Sequence, residues 1–191
     1  VGPGNVLKDI IDSEAFSVVR LSKIYRQAES SHIVLNAHKI NAGELITLNN
    51  KNKDFFFFEK QDVRSVMGAL IYLVKTKLPE YIGTSPFEIQ VLTPMRKGEL
   101  GVEHLNEVLQ YYLNPASESK KEKEGRTGVF REGDKVMQTK NNYQLEWKIT
   151  NAKGFSVEEG LGVFNGDMGV IKQINTYSER ITVVFDENRE V

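Results

Sequence analysis

The sequence predicts an α/β fold with a parallel sheet, followed by a small β-barrel made of short strands. Helical and strand-like hydrophobic patterns alternate between residues 17 and 113, which is typical of βα units on a parallel sheet. After residue 115 the pattern changes to short strand-like runs separated by Gly, Asn and Asp turns, which is typical of a small barrel. The predicted domains are therefore residues 1–115, a linker at residues 116–125, and residues 126–191.

Helix caps and apolar residues at three- and four-residue intervals predict four helices in the first domain. They run from Asn5 to Asp12, from Ser30 or Ser31 to a stop at Gly43, from Asp62 to a closing Pro79, and over residues 102–113. The third has the clearest pattern, because its apolar residues form one stripe over four turns.

Strands are predicted between these helices and in the barrel. Residues 17–21 alternate with β-branched valines, and residues 54–59 contain four successive phenylalanines, which favour a strand buried on both faces. Residues 88–93 read as a strand that ends at Pro94. The barrel strands are predicted at residues 134–139, 169–174 and 181–185. The segment at residues 116–125, ASESKKEKEG, is charged and has no apolar side chain larger than that of alanine, so we expect a linker or a mobile loop.

Composition excludes several classes of protein. The 191 residues are 40% hydrophobic and 27% charged, as in an ordinary globular protein. No apolar run is long enough to span a membrane. Cysteine is absent, so disulfides and thiolate metal sites are excluded, and we expect a reducing compartment such as the cytoplasm. Because the chain begins with Val1, we expect it to be a piece of a longer protein.

The net charge of −1 does not by itself favour a nucleic-acid partner, but the charges are unevenly distributed. Residues 120–153 hold nine Lys and Arg side chains against five Asp and Glu. A locally basic strip of this kind can follow a phosphate backbone, and a solvated linker explains it almost as well.

The motifs of nucleotide hydrolysis are absent. No G-x-x-x-x-G-K-[ST] loop cradles phosphates, and no acidic pair after an apolar strand is placed to hold Mg²⁺. The three histidines, His32, His38 and His104, lack the spacing of metal ligands. We therefore predict no metal site, and no ATP hydrolysis by this chain alone.

Four stretches of the sequence resemble helicase motifs of one family, and they occur in that family's order. They are residues 1–11, VGPGNVLKDII; residues 24–41; residues 91–110, VLTPMRKGELGVEHLNEVLQ; and residues 130–169, which begin FREGDKVMQTKNNYQLE. The sequence thus resembles the RecD/TraA family of superfamily 1 DNA helicases, which includes the exonuclease V alpha subunit. Residues 147–162 are longer than the family's usual spacing, which leaves the geometry of the adjoining strands open.

This resemblance implies that residues 1–115 are part of a second, RecA-like domain of P-loop NTPase type, and that the barrel is an SH3-like insertion. It also implies that Arg26 reaches across a domain cleft to the γ-phosphate of ATP. A guanidinium suits that task, because it is always charged and grips phosphate oxygens with a planar fork. Gln27 would orient Arg26, and a purely structural role is about as plausible.

The resemblance also implies DNA contacts. Thr93, Pro94 and Arg96 follow a predicted strand, where the hydroxyl and the guanidinium could hold DNA phosphates; Arg96 facing solvent is an equal alternative. Lys140, Asn141, Asn142 and Tyr143 combine a cation, two amides and a ring, as single-strand binding sites do. The alternative is a turn with Asn at positive φ. Asn165 is a further candidate, although Asn165, Gly166 and Asp167 also suit a tight turn.

The function implied is that of an ATP- and Mg²⁺-dependent helicase moving 5′-to-3′ along single-stranded DNA in DNA repair or recombination. Its partners would be single-stranded DNA and the N-terminal RecA-like domain of the same protein, with no membrane. One alternative is a non-enzymatic SH3-like module that binds a protein or peptide. Another is the helicase part of a conjugative relaxase.

Overall fold

The computed structural model describes residues 5–19, 31–46, 48, 50–51, 53–126 and 128–191. The chain divides into two compact units, Val1–Glu59 and Lys60–Val191. The first unit holds helices α1 (Val6–Asp12) and α2 (His32–Asn41). The second holds helices α3 (Val63–Tyr72), α4 (Leu78–Ile82) and α5 (Val102–Leu113). It also holds seven strands, β1 (Glu122–Gly125), β2 (Gly128–Arg131), β3 (Lys135–Met137), β4 (Asn142–Thr150), β5 (Ser156–Val163), β6 (Met168–Asn175) and β7 (Arg180–Phe185).

All strand pairs among the described residues are antiparallel. β1 pairs with β2, β3 with β6, β6 with β7, and β4 with β5. The end of the chain joins two of these groups. A short 3₁₀ turn at Asp186–Asn188 reverses the chain, and Glu190 then forms bridges to Lys148 of β4 and to Val184 of β7.

The predicted parallel RecA-like sheet is therefore wrong for the part of the chain that the structure describes. Residues 54–59 and 88–93 form no strand, and neither do residues 17–19, the described portion of the strand predicted at 17–21. The strands that do form belong to small antiparallel sheets. Alternation of apolar segments predicted βα units, but it carries no information on whether each extended segment has a neighbour to pair with.

The phenylalanine run shows the physical reason for this error. The Asn50 side chain accepts a hydrogen bond from the N–H of Phe57 and donates one to its C=O, each at 2.6 Å. An amide side chain thus takes both backbone groups that a neighbouring strand would otherwise satisfy. Phe56, Phe57 and Phe58 are exposed rather than buried on two faces.

The helix predicted from Asp62 begins as expected but does not end at Pro79. Asp62 caps α3 by accepting hydrogen bonds from the N–H and the hydroxyl of Ser65, at 2.9 and 2.6 Å. A π-helical turn at Leu73–Lys77 then leads into α4. Pro79 lies in the first turn of α4, where a missing N–H is tolerated. Gly83, with φ of 75°, ends α4.

Helix α5 is held to the strands by a polar network around Asn114 and Asp134. Asn114, only 6% exposed, donates to Asp134 Oδ1 at 2.7 Å and to the Glu132 carbonyl at 3.1 Å. Gln110 donates to Asp134 Oδ2 at 2.6 Å. Arg131 donates to the Asn114 carbonyl at 2.6 Å, which satisfies an acceptor left free where α5 ends.

Residues 116–125 carry more structure than a linker. Residues 122–125 form β1, paired in register with β2. Glu132 accepts hydrogen bonds from the N–H groups of Ile174 and Lys121, at 2.8 and 3.1 Å. These two bonds hold the pKa of Glu132 below its ordinary value, because they favour the ionised carboxylate.

The strands enclose a small apolar core. Val163, Ile171, Ile174 and Phe185 are buried, with Val163 and Ile174 fully inaccessible. Residues 147–162, the stretch of unusual length, form most of the β4–β5 hairpin, in which Trp147 lies directly opposite Gly160. The described part of the chain contains no helix that combines the length and apolarity needed to cross a bilayer.

Candidate nucleic-acid interface

Arg26 and Gln27 lie outside the described residues, so their predicted roles at a nucleotide stay predictions. Helix α2 begins directly after Ser31, its N-cap residue. Asp54 accepts a hydrogen bond from the N–H of His32 at 3.2 Å. The Ser31 side chain lowers the pKa of Asp54 most, followed by the backbone N–H groups of His32 and Ile33. The start of α2 is thereby tied to the segment that precedes the phenylalanine run.

Thr93 stabilises the loop that leads into α5. Its hydroxyl donates to the Leu100 carbonyl at 2.7 Å and accepts from the N–H of Met95 at 3.4 Å. A hydroxyl used in this way organises the loop, which presents Pro94 and Arg96 at the surface.

Arg96 is 68% exposed and forms an ion pair with Glu103, with Nε 3.1 Å from Oε1. An exposed pair of this kind is worth little and opens easily. The predicted contact of Arg96 with a DNA phosphate stays a prediction. No hydrogen bond among the described residues joins this loop to the second predicted group, residues 140–143 and 165.

The second group gathers at the ends of the strands. Lys140 and Asn141 precede β4, while Phe164 and Asn165 follow β5. The N–H of Asn165 donates to Asn141 Oδ1 at 2.8 Å, and Asn141 Nδ2 donates to the Tyr143 hydroxyl at 3.1 Å. We call Lys140, Asn141, Tyr143, Phe164 and Asn165 the tip surface.

The tip surface presents two aromatic rings to solvent. Tyr143 is 66% exposed and Phe164 is 42% exposed. Their centroids are 5.6 Å apart and their planes meet at 68°, an edge-to-face arrangement. Lys140, also exposed, lies three residues before Tyr143 in the chain. The tip surface thus contains one cationic side chain and two exposed rings.

Asn142 has a different position from its neighbours. It pairs with Val163 in the β4–β5 ladder, and its side chain accepts from the N–H of Gln144 at 3.2 Å. These bonds place Asn142 at the start of the strand, and its predicted contact with DNA stays a prediction. Asn141 and Asn142 both have negative φ, so the alternative of a turn with Asn at positive φ is not what forms here.

Asp167 fixes the turn that carries Phe164. Its carboxylate accepts from the N–H of Phe164 at 3.0 Å and lies 3.6 Å from Arg189 Nη2. Arg189 also stands 5.9 Å from the centroid of the Trp147 ring. Gln138 closes the turn from the other side, since its N–H donates to the Asp167 carbonyl at 2.8 Å. Asn165 and Gly166 form the turn itself, with Gly166 at φ of 99°.

Sequence reasoning missed Phe164 and Arg189, and it identified Asp167 only as part of a tight turn. The Asn-Gly-Asp turn indicated a tight reversal after Phe164, but it did not indicate which ring would meet Tyr143. That contact depends on the pairing of β4 with β5, which the sequence did not reveal.

The structure gives one finding on metal ligands. The described residues contain no group of three or more His, Asp or Glu side chains placed to hold a metal ion. The sequence contains no G-x-x-x-x-G-K-[ST] loop.

Comparison with known proteins supports the resemblance drawn from sequence. Residues 105–185 match the family described as the SH3 domain of ATP-dependent RecD-like DNA helicases. This range includes most of α5 and all seven strands. The chain is also 31% identical over 176 residues to the ATP-dependent RecD2 DNA helicase of Deinococcus radiodurans. The match covers 92% of this chain and 20% of that protein, so the chain spans about one fifth of its relative's length.

Proposed function

We propose that this chain supplies part of the single-stranded DNA path of a RecD-like helicase. The proposal is supported by the match of residues 105–185 to the SH3 domain of ATP-dependent RecD-like DNA helicases and by the similarity to the RecD2 helicase. The complete protein would couple ATP hydrolysis to 5′-to-3′ movement along the strand. This chain alone would bind DNA and would not hydrolyse ATP.

The tip surface is the observation that carries this proposal. Proteins that bind single strands without sequence preference combine a positive groove with rings on which bases stack. Lys140 provides charge, while Tyr143 and Phe164 provide exposed rings within one hydrogen-bonded set of loops. The locally basic composition of residues 120–153 supports the same role.

The loop at Thr93, Pro94 and Arg96 would add a second contact. Thr93 holds the loop closed and Arg96 offers its guanidinium to a phosphate once the pair with Glu103 opens. Two separate cationic contacts suit a strand that passes over several elements, because each neutralised phosphate releases counterions and strengthens binding.

Arg26 would act on a nucleotide bound by another domain of the same protein. Arginines supplied in trans neutralise charge on the transferring phosphoryl group. Gln27 would orient Arg26. This assignment depends on the resemblance of residues 24–41 to a helicase motif, and not on the described coordinates.

A DNA-binding titration tests the proposal. The 191-residue chain would be titrated with a labelled oligothymidylate at low and high salt. We expect weak binding that fades as the salt concentration rises, because phosphate contacts release counterions. Lys140→Ala should weaken binding and reduce the salt dependence. Lys77→Ala, at an exposed lysine in the π-helical turn and outside residues 120–153, is the matched control and should bind as the unaltered chain does.

The same titration distinguishes the alternatives. Binding of peptides that is insensitive to salt, with no binding of DNA, would favour a non-enzymatic module that uses the exposed rings as a peptide site. The helicase part of a conjugative relaxase would give the same DNA result, so flanking sequence must separate it from a repair helicase.

A further inference from the structure

We propose that Phe164 and Tyr143 together form a two-ring platform on which bases of the single strand stack. The site would thus contact bases as well as phosphates. The sequence did not indicate Phe164 as a DNA-binding residue. Its ring contact with Tyr143 in the structure is the reason for including it. The inference rests on the proposed function, and it specifies how that function's DNA site binds.

The geometry of the ring pair suits stacking. An edge-to-face pair uses the edge of one ring and one face of the other, so ring faces remain open on the outside. The exposed fractions of 66% for Tyr143 and 42% for Phe164 agree with open faces. Every base has a π-face, so a platform of this kind tolerates any sequence.

The platform is ordered before DNA arrives. Asn141 bonds both to the Tyr143 hydroxyl and to the N–H of Asn165, so one side chain positions both halves. Asp167 holds the N–H of Phe164 at 3.0 Å, and the opposing Arg189 lies 3.6 Å from that carboxylate. Side chains that are already fixed lose little conformational entropy when they bind, which favours affinity.

The charged side chains around the rings also favour a negatively charged ligand such as a nucleic acid. Lys140 is the exposed cation of the tip surface, where it can meet the phosphate that follows a stacked base. The carboxylate of the turn, Asp167, is turned toward a backbone N–H and Arg189, and it is only 25% exposed. Its negative charge is thereby partly neutralised.

A double-perturbation experiment tests base stacking directly. The affinity of the 191-residue chain is measured for a labelled oligothymidylate and for an oligomer of equal length that lacks bases. Both are then measured with Phe164→Ala. We expect Phe164→Ala to weaken binding of the oligothymidylate by roughly 5- to 150-fold, the range for one stacked base. Phe164→Ala should leave binding of the abasic oligomer nearly unchanged, because that oligomer has no base to stack on the Phe164 ring.

Control variants separate stacking from damage to the fold. Phe155→Ala removes an exposed ring, 67% accessible, from the turn between β4 and β5, and should bind both oligomers normally. Phe164→Tyr should retain affinity, whereas Phe164→Leu should lose most of it, since the ring face and not apolar bulk is required. If Phe164→Ala does not fold, base stacking can still be tested by comparing the affinities of the unaltered chain for the oligothymidylate and for the abasic oligomer.

The outcomes are distinguishable. If the unaltered chain binds oligothymidylate but Phe164→Ala binds it equally well, or if removing the bases costs no affinity, the platform is refuted while the proposed DNA site stands. If the unaltered chain binds neither oligomer at low salt, the proposed function itself fails.

Discussion

Asn114, the residue that caps the C-terminal end of α5, donates a hydrogen bond of 2.7 Å to Asp134, the residue that immediately precedes β3. Because Asn114 is buried, this bond and its neighbours fix the end of the helix against the strands. The range that matches the SH3 family begins within α5, and the network provides a physical reason for treating helix and strands as one structural element.

Removing the Asn114 side chain should therefore destabilise the protein. Asn114→Ala removes the donor that Asn114 provides to Asp134 Oδ1 and to the Glu132 carbonyl, which costs about 1–3 kcal/mol of unfolding free energy. Glu118→Ala, an exposed residue of the following loop, is the control and should change stability by less than about 0.5 kcal/mol. Urea unfolding followed by circular dichroism measures both. Equal stability of the two variants would mean that the network contributes nothing.

Alanine at two glycines should have opposite effects. A Cβ on Gly160 would overlap the Trp147 ring, so Gly160→Ala should destabilise by about 1–3 kcal/mol. Gly68 lies exposed inside α3 with open space around it, so Gly68→Ala should stabilise by about 0.5–1 kcal/mol. Thermal melting should shift down for the first and up for the second. A Gly160→Ala variant as stable as the parent would show that Trp147 does not pack across this position.

The cap of α3 should lose its effect in acid. Hydrogen bonds from the Ser65 hydroxyl and N–H hold the pKa of Asp62 below its ordinary value. A lowered folded-state pKa means that the contribution is complete above the ordinary aspartate pKa and is lost as the pH falls through the lower folded value. Asp62→Asn keeps a neutral acceptor at the cap.

Urea unfolding between pH 7 and pH 3 measures this contribution. We expect the parent to lose more stability than Asp62→Asn over the acid range, while the two are similar at neutral pH. Parallel pH profiles would contradict the assignment of the cap.

Under the proposed function, Arg26→Ala in the complete protein should abolish ATP turnover while ATP binding survives. Trans arginines contribute roughly 10³- to 10⁵-fold to turnover, and the guanidinium acts on the transition state more than on bound ATP. Steady-state hydrolysis and equilibrium nucleotide binding are the two measurements. Lys23→Ala removes a nearby cation and is the control. Unchanged hydrolysis in Arg26→Ala would remove Arg26 from the mechanism.

Local signals predicted the helices better than the sheets. Asp62 was predicted as the start of α3 from its cap position, and the structure gives it that role through Ser65. Pro79 was predicted to close the same helix, yet the chain passes through a π-helical turn and continues. A helix depends on bonds within one segment, so its start can be read from neighbouring residues, whereas its continuation depends on packing.

The sequence predicted some residues of the tip surface and not others. Lys140 and Tyr143 were identified from residue type and resemblance, and both are exposed at the tip surface. Phe164 was not identified, because its partner across the hairpin depends on the register of β4 and β5. Asn142 was predicted to contact DNA, but its bonds lie within the strand.

The sequence by itself indicated the similarity to RecD-like DNA helicases, the absence of a G-x-x-x-x-G-K-[ST] loop from these 191 residues, and the segments with helical periodicity. Each of these depends on residue identity and short-range spacing, which the linear order of the chain contains. Only the tertiary structure decided that the described strands pair antiparallel, that residues 54–59 are not among those strands, and that Phe164 lies beside Tyr143. Strand pairing joins residues far apart in the chain through backbone groups that every residue carries, so residue type alone cannot specify it.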